Sequence, residues 1–130
     1  MPVADRIDIQ IPVRSVKFSE YEVRTGESSE TVRKRIERTM DIQAQRYKNM
    51  ELKQNGRVGR HMIERYCKTK ADAKSLIENA VNDLGFSIRG IEKVLRVART
   101  IADMECREEI SKYDVAEALG YRMLDRREFC

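Results

Sequence analysis

Leu84-Gly85-Phe86-Ser87 closes one helix and opens the next, and the run to Asp103 leaves few alternatives for what surrounds it. Upstream, Ala73, Leu76, Ile77, Ala80, Val81 and Leu84 recur at the spacing of one buried helical face. Gly85 supplies a left-handed stop, with Phe86 placed to pack back on Val81 in a Schellman arrangement. Ser87 is an N-cap, and the helix it opens buries Ile91, Val94, Leu95, Ala98, Ile101 and Ala102. The other face is read as Arg89, Lys93, Arg96 and Asp103. Arg89 falls in the first turn, the electropositive end of a helix, which favours anions over cations. A residue that breaks a local rule is a candidate functional residue. Arg89 with a helix N-terminus suits a phosphate; the plainer alternative is a guanidinium that points into solvent.

The rest of the chain reads as one strand and about four more helices. Ile7-Asp8-Ile9-Gln10-Ile11-Pro12-Val13 alternates like a half-buried strand, and Pro12 confines it to a sheet edge. A single strand needs a partner, supplied either near Ser15–Tyr21 or by polypeptide outside this chain. Arg14 to Ser29 reads as a loop. Ser28 or Ser29 caps a long helix striped with Val32, Ile36, Met40 and Tyr47, assisted by Thr39 and Ala44. Asn55-Gly56 marks a turn, and a short helix from about Gly59 to Cys67 points Met62, Ile63, Tyr66 and Cys67 inward. Thr69 and Asp72 read as a capping box for the next helix. Ser111 and Asp114 cap a last helix through Val115, Ala118, Leu119 and Met123, and residues 125–130 are expected to fray.

Composition supports helices: 37% of residues are charged, 6% are aromatic and none is tryptophan. No apolar run approaches the ~20 residues of a membrane span, and Asp5 and Asp8 interrupt any secretory pattern, so a soluble, cytoplasmic protein is expected. Three dispersed cysteines (Cys67, Cys106, Cys130) without a C-x-x-C pair suggest neither a disulfide framework nor a metal site, and His61 has no evident partner. The net charge of +4 arises in residues 1–60, with 13 Lys+Arg against 9 Asp+Glu, while residues 61–130 balance at 13 against 13. Arg33, Lys34, Arg35 and Arg38 concentrate that excess, as a solvated helix face or a weak nucleic-acid stripe. There is no G-x-x-x-x-G-K-[ST] loop, G-x-S-x-G, H-E-x-x-H or hydrophobic strand ending in Asp-Glu. A self-sufficient catalytic site is therefore not expected.

Asp5-Arg6-Ile7-Asp8-Ile9, Gln45-Arg46-Tyr47, Phe86–Asp103 and Asp114–Arg122, in that order, resemble landmarks of one family. They are similar to the C-terminal part of the magnesium-chelatase-like AAA+ ATPases, in the YifB/ComM branch. The resemblance implies a mainly α, AAA+ lid-type bundle of four to five helices (28–124). One strand (7–13) of the missing AAA+ core and a linker would precede it in residues 1–27. It implies a fragment of a longer polypeptide, with Met1 an added start, inactive alone. Arg89, in the Ser-x-Arg position with Ser87, resembles the sensor-2 arginine that reaches the ATP γ-phosphate. Arg6 is similar to an arginine finger directed at a neighbouring subunit's nucleotide. The implied cofactor is ATP with Mg2+, held mainly by the absent core. The implied partners are that core, a homo-oligomeric (hexameric) ring and DNA, with no membrane, in a motor of the branch-migration type.

Two positions depart from the family pattern: Cys106 stands in a turn that usually carries glycine, and Gly90 follows Arg89 where alanine is more typical. Arg96 and Arg99 are read as structural or interdomain ion pairs. The rival reading is a free-standing basic helical protein that uses Arg33, Lys34, Arg35 and Arg38 on DNA phosphates or as a scaffold.

Overall fold

The computed structural model describes residues 6–23 and 26–122; Asp5, Met123, Cys130 and the tail expected to fray lie outside them. Six helices follow in order: α1 Phe18–Tyr21, α2 Ser29–Arg46, α3 Ile63–Tyr66, α4 Ala71–Leu84, α5 Ile88–Met104 and α6 Lys112–Gly120. Two 3₁₀ turns, Asn55–Arg57 and Arg60–Met62, carry the chain from α2 to α3.

Helix α5 is the axis, and α6, α2, α4 and the Asn55–Arg57 turn pack around it. Small residues make this possible: Ala98 and Ala102 of α5, Ala118 of α6 and Ala73 of α4 are fully buried, so the backbones approach closely. Val58, Ile63, Val94, Ile110 and Val115 fill the remaining space. A second cluster of Ala80, Phe86 and Ile91 closes the α4–α5 corner, with Val81 packed against it. There Gly85 adopts φ 74° and the Phe86 amide donates to the Ala80 carbonyl at 3.2 Å, the stop expected from the sequence. Ser28, Ser87 and Ser111 each accept an amide from the first turn of the helix they precede, and Asp114 completes a capping box with Ser111.

Four local expectations are corrected. No strand forms over 7–13, since no second strand lies beside it among the described residues; Ile9 and Ile11 are exposed. The segment is instead fastened along the helices. The Gln10 amide donates to the Tyr121 carbonyl at 2.6 Å, and buried Arg122 donates to the carbonyls of Ile7 and Asp8. The partner expected near Ser15–Tyr21 is helix α1. Thr69 does not cap α4, whose N-cap is Lys70; it is held in a parallel bridge with Ile110 by the backbone bonds of Lys68 and Lys70 to that residue. The Val32, Ile36 and Met40 stripe faces solvent, Met40 at 51% exposure; only the C-terminal part of α2, at Thr39, Gln43 and Tyr47, enters the core.

Helix α5 ends in a Schellman pair: the Cys106 amide donates to the Asp103 carbonyl at 3.0 Å and the Arg107 amide to that of Ala102 at 2.9 Å. Cys106 takes the left-handed position at φ 57°, the one non-glycine to do so among the described residues. A Cβ there crowds the backbone. Cys106→Gly is expected to raise the unfolding free energy by up to about 1 kcal/mol, seen as a higher urea midpoint at unchanged slope. Cys67 is buried, and desolvation pushes its thiol up from 9.0 to about 11. The folded thiol thus keeps its proton after the unfolded one has lost it. Stability should be intact below pH 9.0 and decline as pH rises towards about 11. Cys67→Val should flatten that part of the decline in chemical-denaturation series.

Candidate functional site

The first turn of α5 carries the residues singled out by sequence. Ser87 lies extended (φ −75°, ψ 160°), and its Oγ accepts the Gly90 amide at 3.0 Å. The Ile91 amide donates to the Ser87 carbonyl at 2.9 Å. The amides of Ile88 and Arg89 remain as the open donors of that turn. Arg89 is exposed and has no ion pair or hydrogen bond to the described residues. Ile88 beside it is 60% exposed. A solvent-facing cation, two free amides and the positive pole of a 17-residue helix together form an anion-accepting surface.

Arg6 is exposed at the start of the segment that Arg122 holds. Asp8, two residues on, pairs with Lys93 at 2.7 Å, one turn along α5 from Arg89. The Arg6 segment therefore meets α5 one turn beyond Arg89, and its Asp8 and Ile9 also line a hollow with Thr100 and Met104 farther along the helix.

The basic run on α2 is elsewhere. Arg35 pairs with Glu27 at 2.6 Å and Lys34 with Glu30 at 3.4 Å. Arg38 donates to the carbonyl of Met104, at the opposite end of α5, on the order of 22 Å from Arg89 at 1.5 Å rise per residue. Arg33 is exposed. Lys34, Arg35 and Arg38 thus each have a partner in this fold, so the run is not a row of free cations.

Sequence periodicity missed the polar centre. Asp103, expected on the outer face of α5, is 1% exposed. Its Oδ1 and Oδ2 accept Arg46 at 2.5 and 2.8 Å, Oδ2 accepts Asn55 Nδ2 at 2.9 Å, and Arg99 lies 3.2 Å from Oδ1. Asn55 is itself buried: its Oδ1 accepts from Tyr47 Oη at 2.7 Å, and its backbone amide donates to Gln43 Oε1 at 2.9 Å. Arg46 is held more firmly protonated by the hydrogen bond to Asp103. Arg99 donates to the carbonyls of Glu108 and Arg107, both at 2.6 Å, and Arg96 to that of Val58 at 2.8 Å. The structural role expected of Arg96 and Arg99 is present. The available signal was the i, i+4 placement of Arg99 and Asp103 beside the Gln45-Arg46-Tyr47 landmark.

Among the described residues no cluster of three or more His, Cys, Asp or Glu gathers to hold a metal ion, and no helix is long and apolar enough to cross a membrane.

The sequence that builds this domain has recognisable relatives. Residues 26–122 match the family described as magnesium chelatase, subunit ChlI, C-terminal, and the chain belongs to that family as a C-terminal domain of its YifB/ComM branch. It is 36% identical over 127 residues to the uncharacterized protein YifB of Salmonella typhimurium and 35% identical over 127 residues to the competence protein ComM of Haemophilus influenzae. YifB of Escherichia coli is 33% identical over the same length. Each alignment covers 96% of this chain and 24% of the relative, so the chain spans about a quarter of their length.

Removing one partner from a buried ionic centre leaves the others uncompensated. Asp103→Ala is expected to cost about 3–5 kcal/mol and to lower the melting temperature sharply or unfold the domain. Glu92→Gln, which breaks only the contact to largely exposed Arg60, should leave the melting curve nearly unchanged.

Proposed function

We propose that this chain is the helical lid of a magnesium-chelatase-like AAA+ ATPase of the ComM type, and that Arg89 acts as its sensor-2 arginine. The observation that carries the proposal is an exposed, unpaired guanidinium in the first turn of a capped helix, beside two open amides. Those groups fit a terminal phosphate: the guanidinium offers paired donors and full charge, and the amides add the helix dipole. ATP with Mg2+ would supply the phosphoryl group, gripped mainly by an AAA+ core outside this chain. Ser87 would act by fixing the first turn, since its hydroxyl is committed to the Gly90 amide. Lid closure would carry Arg89 to the γ-phosphate and thereby report nucleotide state through α5.

Arg6 is proposed as the arginine finger offered to the nucleotide of the next subunit in a homo-oligomeric, hexameric ring. Such a group stabilises charge developing on the transferred phosphoryl and is worth ~10³-fold or more in rate. The anchoring of its segment by Arg122 and Lys93 supports this role, because a finger needs a fixed base. The parent is proposed to be a cytoplasmic, DNA-remodelling motor of the branch-migration type, in line with the competence protein among the relatives.

In the full-length parent, Arg89→Ala is expected to lower ATP turnover at least tenfold, with Arg89→Lys intermediate. Arg6→Ala should also abolish most turnover. Mixing Arg6→Ala subunits with subunits unable to bind nucleotide should restore part of it, since an intact finger then meets an intact nucleotide site. Turnover unchanged in Arg89→Ala would refute the sensor role.

A further inference from the structure

A strongly cationic hollow lies well along α5 from Arg89. It has a volume of about 630 Å³ and gathers Arg46, Arg65, Lys68, Lys70, Arg99 and Arg107. Arg99 stands ten residues beyond Arg89, roughly 15 Å along the helix. Against these six cations the lining holds two carboxylates, Glu108 and Glu109. Asp103 neutralises part of Arg46 and Arg99 from behind, and Asp114 pairs with Arg107. Arg65, Lys68 and Lys70 have no carboxylate partner among the described residues.

The hollow is also rigidly built. On one rim the Ile110 amide donates to the Lys68 carbonyl at 2.8 Å and the Lys70 amide to the Ile110 carbonyl at 3.0 Å, which pins the backbone of both lysines. On the floor, Arg99 is 2% exposed and clamps the Arg107 and Glu108 carbonyls, fixing the opposite rim. The Nε–H groups of Arg99 and Arg107 are buried and find no acceptor among the protein atoms. Buried donors without acceptors are rare and costly, and two arginines in one cationic hollow make an unusual pair of them.

We infer that this hollow is a binding site for a compact multivalent phosphate, of the inorganic di- or triphosphate class or the phosphate chain of a nucleotide. Three unpaired cations call for more than one negative charge, so a lone carboxylate or chloride is too weak a match. Phosphate oxygens accept from guanidinium forks and ammonium groups at once. The volume falls in the range of small-molecule sites, and its concavity suits a small ligand better than a duplex backbone, which needs an exposed stripe. The inference does not depend on the sensor role of Arg89.

The test is calorimetric titration of the 130-residue chain with inorganic tripolyphosphate at low salt without magnesium. Saturable one-to-one binding that weakens with added salt is expected. Lys68→Gln/Lys70→Gln, at two exposed positions, should weaken it at least fivefold with the circular dichroism melt unchanged. Glu109→Gln should tighten it about two- to threefold by removing a like charge from the rim, an effect that a purely structural role would not give. Absence of binding, or binding kept undiminished in the double lysine variant, would overturn the inference. So would a 20-base-pair duplex whose binding needs both lysines while tripolyphosphate does not bind.

Discussion

Asp103 is the point from which the architecture is tied. One buried carboxylate holds Arg46 at the end of α2, Asn55 in the connecting turn and Arg99 one turn back on its own helix. Arg99 then reaches on to the 107–108 carbonyls, and Asn55 back to Tyr47 and Gln43. The end of α2, the connecting turn, α5 and the loop that follows it are thus fixed together by charge-assisted bonds that have direction as well as strength. An apolar contact in the same place would fill space without setting the rotation of α2 about α5. A domain whose core is rich in alanine depends on that directionality, because small side chains permit several helix registers.

Arginine does similar work at the other edge. Arg99 and Arg122 are the largest fully buried side chains among the described residues, and both donate to backbone carbonyls of irregular segments. Residues 7–13 illustrate why this matters. Their alternation is that of a strand, yet a strand is stabilised by its neighbour's ladder, and no neighbouring strand is present among the described residues. The carbonyls of Ile7 and Asp8 are satisfied by a guanidinium instead, and the isoleucines that follow remain outside.

The sequence made visible what was local. Ser28, Ser87 and Ser111 as caps, Gly85 as a left-handed stop and the apolar face of α5 each depend on residues within a few positions. The Asp103 centre joins residues 48 and 57 positions apart, and no periodicity reports such a partnership. A charged residue on a helical wheel is assigned to solvent by default, so Asp103 was assigned to the wrong side. The stripe of Val32, Ile36 and Met40 shows the complementary limit: spacing reveals that a helix has an apolar face, not which surface covers it. The resemblance marked Cys106 only as standing where glycine is usual, and the left-handed φ of 57° there supplies the physical reason.

Helix α5 gives these features one mechanical frame. At its first turn stand Arg89 and the open amides; one turn on, Lys93 fastens the Arg6 segment; at its last turn Asp103 binds α2 and the connecting turn. The 17-residue helix has a continuous hydrogen-bond ladder and no proline, so it moves as one body. If phosphate is gripped at the first turn, the displacement is therefore delivered to α2 through Arg46 and to the 107–108 loop through Arg99. The exposed apolar stripe of α2 rides on the same connection. A charged surface at one end, a stiff shaft, and an ionic joint at the far end together form an arrangement that transmits rotation instead of sliding.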